Sequence, residues 1–287
     1  MQQGHRTVRQ TTVRNIGAPA IRWDGPCWRR LAASLVAALI VAVAAHAAEP
    51  SPQVARELAP TGTLRAAINY GNPVLAQKTA SGEPGGVSVE LARELGKRLA
   101  VPVELVFFDA AGKVFEAVKA GAWDVAFLAI DPVRAAEITF TQPYVMIEGT
   151  YMVAQNSPVR AIEDVDREGL RVSVGQGSAY DLFLTRALKK ATLVRAPTSM
   201  AAIELFAGGG LDAAAGVKQP LAAFAAANPG FRVIEGRFMV IEQAMATPRG
   251  REGAHAYLRS FIDEMKASGM VAGALRRSNQ PDATVAP

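Results

Sequence analysis

The sequence predicts an α/β protein of two similar lobes, each a mostly parallel sheet flanked by helices. Short apolar runs alternate with segments of helical period in a β-α-β-α-β order, and that order occurs twice. The turn Gly121-Ala122-Trp123-Asp124-Val125-Ala126 has an echo in Gly209-Gly210-Leu211-Asp212-Ala213-Ala214. Of the 287 residues 50% are hydrophobic and 20% charged, the balance of a chain that folds around a core.

The first stretch stands apart. Trp28-Arg29-Arg30 precedes an apolar run from Leu31 to Ala45, the small-x-small site Ala45-His46-Ala47 and the polar Glu49-Pro50-Ser51-Pro52. Basic, apolar and small-residue segments in that order make a secretory signal peptide over residues 1–47, cut near Ala47. The apolar run is about 15 residues, short of the roughly 20 that span a bilayer, which favours cleavage over a retained anchor. No Cys follows it, which argues against a lipoprotein, and Arg29-Arg30 carries only part of a twin-arginine signal. The expected location is the periplasm.

The leader holds six arginines and one acid, so removing it from 31 basic and 26 acidic residues leaves 25 of each. A neutral mature chain gives no electrostatic case for a nucleic-acid partner. Cys27, His5 and His46 also lie in the leader. Disulfides, thiolate metal sites and a cysteine nucleophile are thereby excluded from the mature chain. A zinc site or a Ser-His-Asp triad would need His255, and no G-x-S-x-G motif supplies the serine. No cofactor and no metal are expected, and His255 reads as a surface residue of a helix.

The elements follow in order. Leu64–Ile68 reads as a strand, broken by Asn69-Tyr70-Gly71-Asn72-Pro73. Val87, Leu91, Leu95 and Leu99 recur every four positions, with Glu90 near the start and Lys97 and Arg98 near the end, as a helix dipole prefers. Val103–Phe108 is a strand, Lys113–Ala120 a short helix ended by Gly121, and Asp124–Ile130 a strongly apolar strand. The second series runs Leu170–Val174 (strand), Tyr180–Lys189 (helix), Thr192–Val194 (strand), Met200–Ala207 (helix) and Leu211–Ala215 (strand). Phe231–Glu235 and Gln243–Thr247 are further strands. Glu252–Ala267 is an amphipathic helix with Tyr257, Leu258, Phe261, Ile262 and Met265 on its apolar side. The tail after Arg277 reads as disordered. Asp124 and Asp212 read as turn residues. No low-complexity linker separates the lobes, so strands are expected to join them as hinges.

Parallel sheets bind ligands at the carboxyl ends of their strands. That rule selects Asn69–Asn72, Phe108 with Asp109, and Ala129–Arg134.

Five segments in order then carry a resemblance. They are Gly62-Thr63-Leu64-Arg65, Gly86-Val87-Ser88-Val89-Glu90-Leu91-Ala92, Ala120-Gly121-Ala122-Trp123-Asp124-Val125, Asp131-Pro132-Val133-Arg134 through Phe140-Thr141-Gln142-Pro143-Tyr144, and Val174-Gly175-Gln176-Gly177-Ser178. Over roughly Leu58–Met270 the chain resembles the type 2 periplasmic binding proteins, family 3, the polar-amino-acid type that serves ABC transporters. The resemblance implies the two-lobed type 2 fold, with lobe 1 at 59–155 plus 243–287 and lobe 2 at 156–242, closing on the ligand by hinge motion.

It also implies a site. Arg134 matches the carboxylate-binding arginine, whose fork of donors fits two carboxylate oxygens. Gly177 and Ser178 match a loop offering backbone N–H groups and a hydroxyl to an anion at a helix N-terminus, although Ser178 could serve as a helix cap alone. Asn69, Tyr70 and Asn72 fall on polar contacts and an aromatic wall and Phe108 on a second wall, and Ala129, at the end of its strand, is counted with the ligand-binding residues. Two departures stand out. Phe127-Leu128-Ala129-Ile130-Asp131 is almost without the hydroxyls usual there, and the amine-binding aspartate is replaced by Val217, followed by Lys218. A buried ammonium needs an anionic or carbonyl partner, so a ligand with a carboxylate and no ammonium is one reading, while Asp131 supplying the missing charge is the other.

The implied function is capture of a small anionic or zwitterionic solute for an ABC-transporter permease in the membrane, by a monomer without catalysis. Two rivals share the scaffold. One is a periplasmic dehydratase of the cyclohexadienyl type, for which Glu148 and Asp131 are the acids in plausible loops. The other is a ligand sensor without a transport role.

Overall fold

The structure, a computed structural model, describes residues 50–287, and the expected leader lies outside them. In chain order the elements begin with α1 (Pro52–Leu58), β1 (Leu64–Asn69), β2 (Gln77–Lys78), β3 (Pro84–Gly85), α2 (Val87–Leu99), β4 (Val103–Phe108), α3 (Ala111–Glu116), β5 (Val125–Ala129), α4 (Pro132–Ala135) and β6 (Ile138–Ala154). A 3-10 turn, Ile162–Val165, leads to β7 (Arg171–Gly175), α5 (Ala179–Ala187), β8 (Thr192–Ala196), α6 (Ser199–Ala207), β9 (Ala213–Val217), α7 (Lys218–Ala227) and β10 (Phe231–Val233). The chain closes with β11 (Met239–Pro248), α8 (Glu252–Ala267), α9 (Met270–Arg277) and β12 (Thr284–Val285).

One sheet runs β4-β1-β5-β11-β6-β9-β7-β8. The first three strands are mutually parallel, as are the last three, and each trio places its first strand in chain order at the centre. Between the trios the long strands β11 and β6 run antiparallel to their neighbours. Helices cover both trios, as parallel strands buried on two faces require.

The echoed turns do the same work in both trios. Asp124 accepts the backbone N–H of Arg65 at 3.2 Å, and the Arg65 guanidinium donates to Gly121 O at 2.6 Å. Asp212 accepts the N–H of Arg171 at 2.7 Å, and the Arg171 guanidinium donates to Gly210 O at 2.9 Å. Each aspartate ties the strand it precedes to the start of the central strand. Asp124 is fully buried, and Arg65 and Arg251 neutralise it at 2.9 and 3.1 Å.

β6 runs unbroken through Pro143, a residue that the interior of a regular strand does not normally hold. The proline is tolerated at a register shift: Gln243 faces Val145 while Ala244 faces Pro143, so no regular ladder bond is asked of it. Residues Met239–Glu242 of β11 and Gly149–Met152 of β6 extend the two strands into the second trio, where β6 pairs with β9.

The tail is ordered, contrary to expectation. α9 follows α8, and β12 pairs with Val145 and Met146 of β6. On that edge β9 pairs only from Gly149 onward, and β12 covers part of the remaining open edge. Ala286 N–H donates to Tyr144 O at 3.1 Å. His255 is half-buried and shares a 2.9 Å hydrogen bond with Phe140 O, so it is a packing residue. Leu258, Phe261, Ile262 and Met265 of α8 are buried as the period of the helix demands.

Candidate functional site

The ends of β1, β5, β8 and β9 face one another across a cleft between the trios. Arg134 sits at its centre. Asp131 caps the short α4 by accepting Val133 N–H at 2.8 Å, and Pro132 opens the helix, which swings Arg134 inward. The side chain is 1% exposed. Its guanidinium donates to Ala129 O and, across the cleft, to Gly177 O, each at 2.9 Å, while Nε–H has no partner. Burial lowers its pKa to about 10 and the nearby Asp131 carboxylate opposes the drop, so Arg134 is a cation at neutral pH.

The same loop makes a second link across the cleft. Asp131 Oδ2 accepts from Arg186 of α5 at 2.7 Å. Between these links the backbones touch. Gly177 has φ +67°, and a Cβ there would stand 2.8 Å from Cα of Gly112 in the first turn of α3. Only glycine at both positions allows the approach.

The expected anion loop lies beside Arg134, but its polar groups are engaged. Gly177 N–H donates to Asp181 Oδ2 at 2.9 Å, and Ser178 Oγ accepts Asp181 N–H at 3.1 Å, so Ser178 is the N-cap of α5. Gly177 presents its carbonyl to the cleft. Asn69 Oδ1 accepts Gly71 N–H at 2.9 Å in a local turn. Asn72 is 7% exposed and its Oδ1 has no partner. Asn69, Asn72, Ala129, Arg134 and Ser178 all line a small cavity of about 30 Å³.

Tyr70 and Phe108 go elsewhere. Tyr70 stacks on Phe107 with ring centres 4.9 Å apart, and lines a larger cavity of about 330 Å³. Phe108 packs with the cluster of Ala67, Val114 and Trp123 instead, because neighbouring side chains of a strand point to opposite faces. Phe107, 45% exposed, is the partner of Tyr70.

Gly71, Tyr180, Ser199 and Val217 face both cavities, so the two adjoin. Tyr180 OH donates to Ser199 Oγ at 2.7 Å on this boundary. Sequence reasoning passed over Tyr180, Ser199 and Gln243. The strand-end rule, applied to β8 as well as to the first trio, selects Ser199. Val217, noted only as a departure, ends β9 and lines both cavities. Lys218 turns from the cavities to Glu148 at 3.0 Å, where Arg237 also binds at 2.6 Å. Lys218 chiefly, and Arg237 next, hold the Glu148 carboxyl below its usual range. Among the described residues no cluster of His, Cys, Asp and Glu could hold a metal ion.

Solved structures with this strand arrangement include a solute receptor for L-cysteine of Neisseria gonorrhoeae, at 24% identity and TM-score 0.69 over 80% of this chain and 94% of that one. An ancestral amino-acid-binding protein, precursor of cyclohexadienyl dehydratase, is 22% identical with TM-score 0.66 over 78% of this chain and 98% of that one. A histidine kinase sensor domain similar to periplasmic binding proteins is also 22% identical, with TM-score 0.68 over 78% and 98%. At these identities the likeness concerns the two-lobed fold alone. No curated protein matches the chain by sequence. The family model of bacterial extracellular solute-binding proteins, family 3, matches residues 64–277. With most of its described length matched and the type 2 fold in place, the chain belongs to the family 3 bacterial extracellular solute-binding proteins.

Proposed function

We propose that the chain is a periplasmic solute-binding protein that holds a small carboxylate-bearing ligand, an amino acid or an organic acid, between two lobes and delivers it to an ABC-transporter permease. The reading takes residues 1–47 as a cleaved signal peptide. Lobe 1 is 59–155 with 243–287 and lobe 2 is 156–242, and the hinge lies where β6 and β11 cross between the trios. The protein acts as a monomer, without a cofactor.

The observation that supports it best is Arg134: a buried cation with a free Nε–H, on the boundary between the trios, lining a cavity. A cation taken out of water this far calls for an anionic partner. The family supplies the rest of the argument, since its members bind small solutes outside the cell.

The dehydratase reading is weaker on this chain. A general acid must hold its proton near neutral pH. Glu148 is held ionised by Lys218 and Arg237, and Asp131 is paired with Arg186. A sensor would use the same cleft. Calorimetric titration of the purified protein with amino acids and organic acids tests the proposal. Micromolar binding of a carboxylate, lost on amidating that carboxyl, is expected; conversion of prephenate or arogenate with no such binding would replace the proposal by the enzyme reading.

A further inference from the structure

Resting on the carboxylate reading of Arg134, we infer that the rest of the ligand is an uncharged apolar body, such as an aryl or branched alkyl group, and carries no ammonium. The two adjoining cavities divide the ligand by chemistry. The small one holds the only cationic side chain in its lining, Arg134, and no acid. The larger one is walled by Tyr70, Pro73, Met200, Ile203, Val217 and Pro220. At about 330 Å³ against about 30 Å³ it is the roomier of the two. Beyond Pro73 and Pro220 the lining turns polar with Gln219, Asn279 and Gln280, which bounds the apolar body at that point.

An ammonium finds no unpaired carboxylate in these walls; the buried side-chain acceptor left without a partner there, Asn72 Oδ1 in the small cavity, is a neutral amide oxygen. The one acid lining the larger cavity, Asp109, is ion-paired with Lys113 at 2.7 Å. Of the acids farther out, Asp131 is paired with Arg186, Asp181 with Arg195, and Glu148 with Lys218 and Arg237, while Asp282 lies in the polar lining beyond Pro73 and Pro220. The carbonyls of Ala129 and Gly177 already accept from Arg134. An amine entering here would exchange its water for a single neutral acceptor, whereas an apolar group would gain burial against apolar walls.

The test is calorimetric titration of the protein with four probes that share a carboxylate. They are 3-phenylpropanoate, L-phenylalanine (which adds the ammonium), propanoate (which lacks the ring) and succinate (which puts a second charge in its place). 3-Phenylpropanoate is expected to bind at least tenfold tighter than the other three. Val217→Asp puts a carboxylate on the shared wall at the N-cap of α7, a position that favours Asp, and is expected to shift the preference toward L-phenylalanine. Tighter binding of L-phenylalanine or succinate by the unaltered protein, or no binding of 3-phenylpropanoate, overturns the inference. If whichever carboxylate binds does so unchanged in Arg134→Met, the carboxylate reading itself fails; if its binding is lost there, only the apolar-body inference does.

Discussion

Replacing Arg134 by methionine separates what the guanidinium costs the fold from what it gives the ligand. Burial takes the pKa from its ordinary value to about 10. At ~1.4 kcal/mol per pKa unit, keeping the charge costs the folded state about 3 kcal/mol. Neutral pH lies below that value, so the cost is fully present there. Against it stand two hydrogen bonds from a charged donor, to Ala129 O and Gly177 O, worth ~1.5–3 kcal/mol each. Methionine removes the cost but leaves two carbonyls without their donor, at ~1–3 kcal/mol each where water cannot reach them. The lost hydrogen bonds, counted once through the two orphaned carbonyls at about 2–6 kcal/mol, stand against about 3 kcal/mol of relieved cost, so the unliganded variant is expected to lose no more than about 3 kcal/mol of stability. Binding has no such cancellation. A ligand carboxylate deprived of its buried cation loses ~3–5 kcal/mol, a factor of about 10² to several times 10³ in Kd. Urea denaturation and calorimetric titration on the same preparations measure both quantities. Stability reduced by well over 3 kcal/mol with unchanged affinity would refute the reasoning and leave Arg134 as a strut between the lobes.

Two further perturbations test the cleft and its surroundings. Gly177→Ala forces a Cβ to 2.8 Å from Cα of Gly112 at φ +67°; the two trios are expected to part, seen as a larger radius of gyration by small-angle scattering and a ligand affinity at least tenfold weaker. Lys218 and then Arg237 hold Glu148 below its ordinary value of 4.5, so its ion pairs stabilise the fold above that pH and the benefit is lost as pH falls through the lowered value. The melting temperature of Glu148→Gln is therefore expected to lie below that of the unaltered protein at pH 7 and to converge with it in acid, once the pH is below the lowered value; a difference that persists in acid would count against the ion-pair account.

Strongly periodic segments were read directly from the chain. α2 and α8 carry their apolar residues at helical spacing between polar ends, and both were found with their bounds. β6 was missed, and a local reading cannot know that Pro143 falls at a register shift against Ala244. α7 was missed because Pro220 and a run of alanines give no apolar period. The tail was misread because its ordering comes from the exposed edge of β6, some 140 residues earlier in the chain.

For the site the division is similar. Local motif and strand-end rules located Arg134, Asn69, Asn72, Ala129 and the Gly177-Ser178 loop, and these do line or border one cavity. They did not reveal that Gly177 offers its carbonyl, that Asp181 occupies its N–H, or that Phe107 and not Phe108 backs Tyr70.

The sequence by itself determined the family, the doubled strand-helix order, the two aspartate turns and the candidate cation, because each is written in neighbouring residues through period, turn chemistry or a short ordered motif. The tertiary structure alone decided which donors remain free, how the cavity divides into a charged end and an apolar end, and which acids are already neutralised. Those properties belong to residues brought together from opposite sides of β6 and β11, and burial, which sets their energies, exists only once the chain has closed around them.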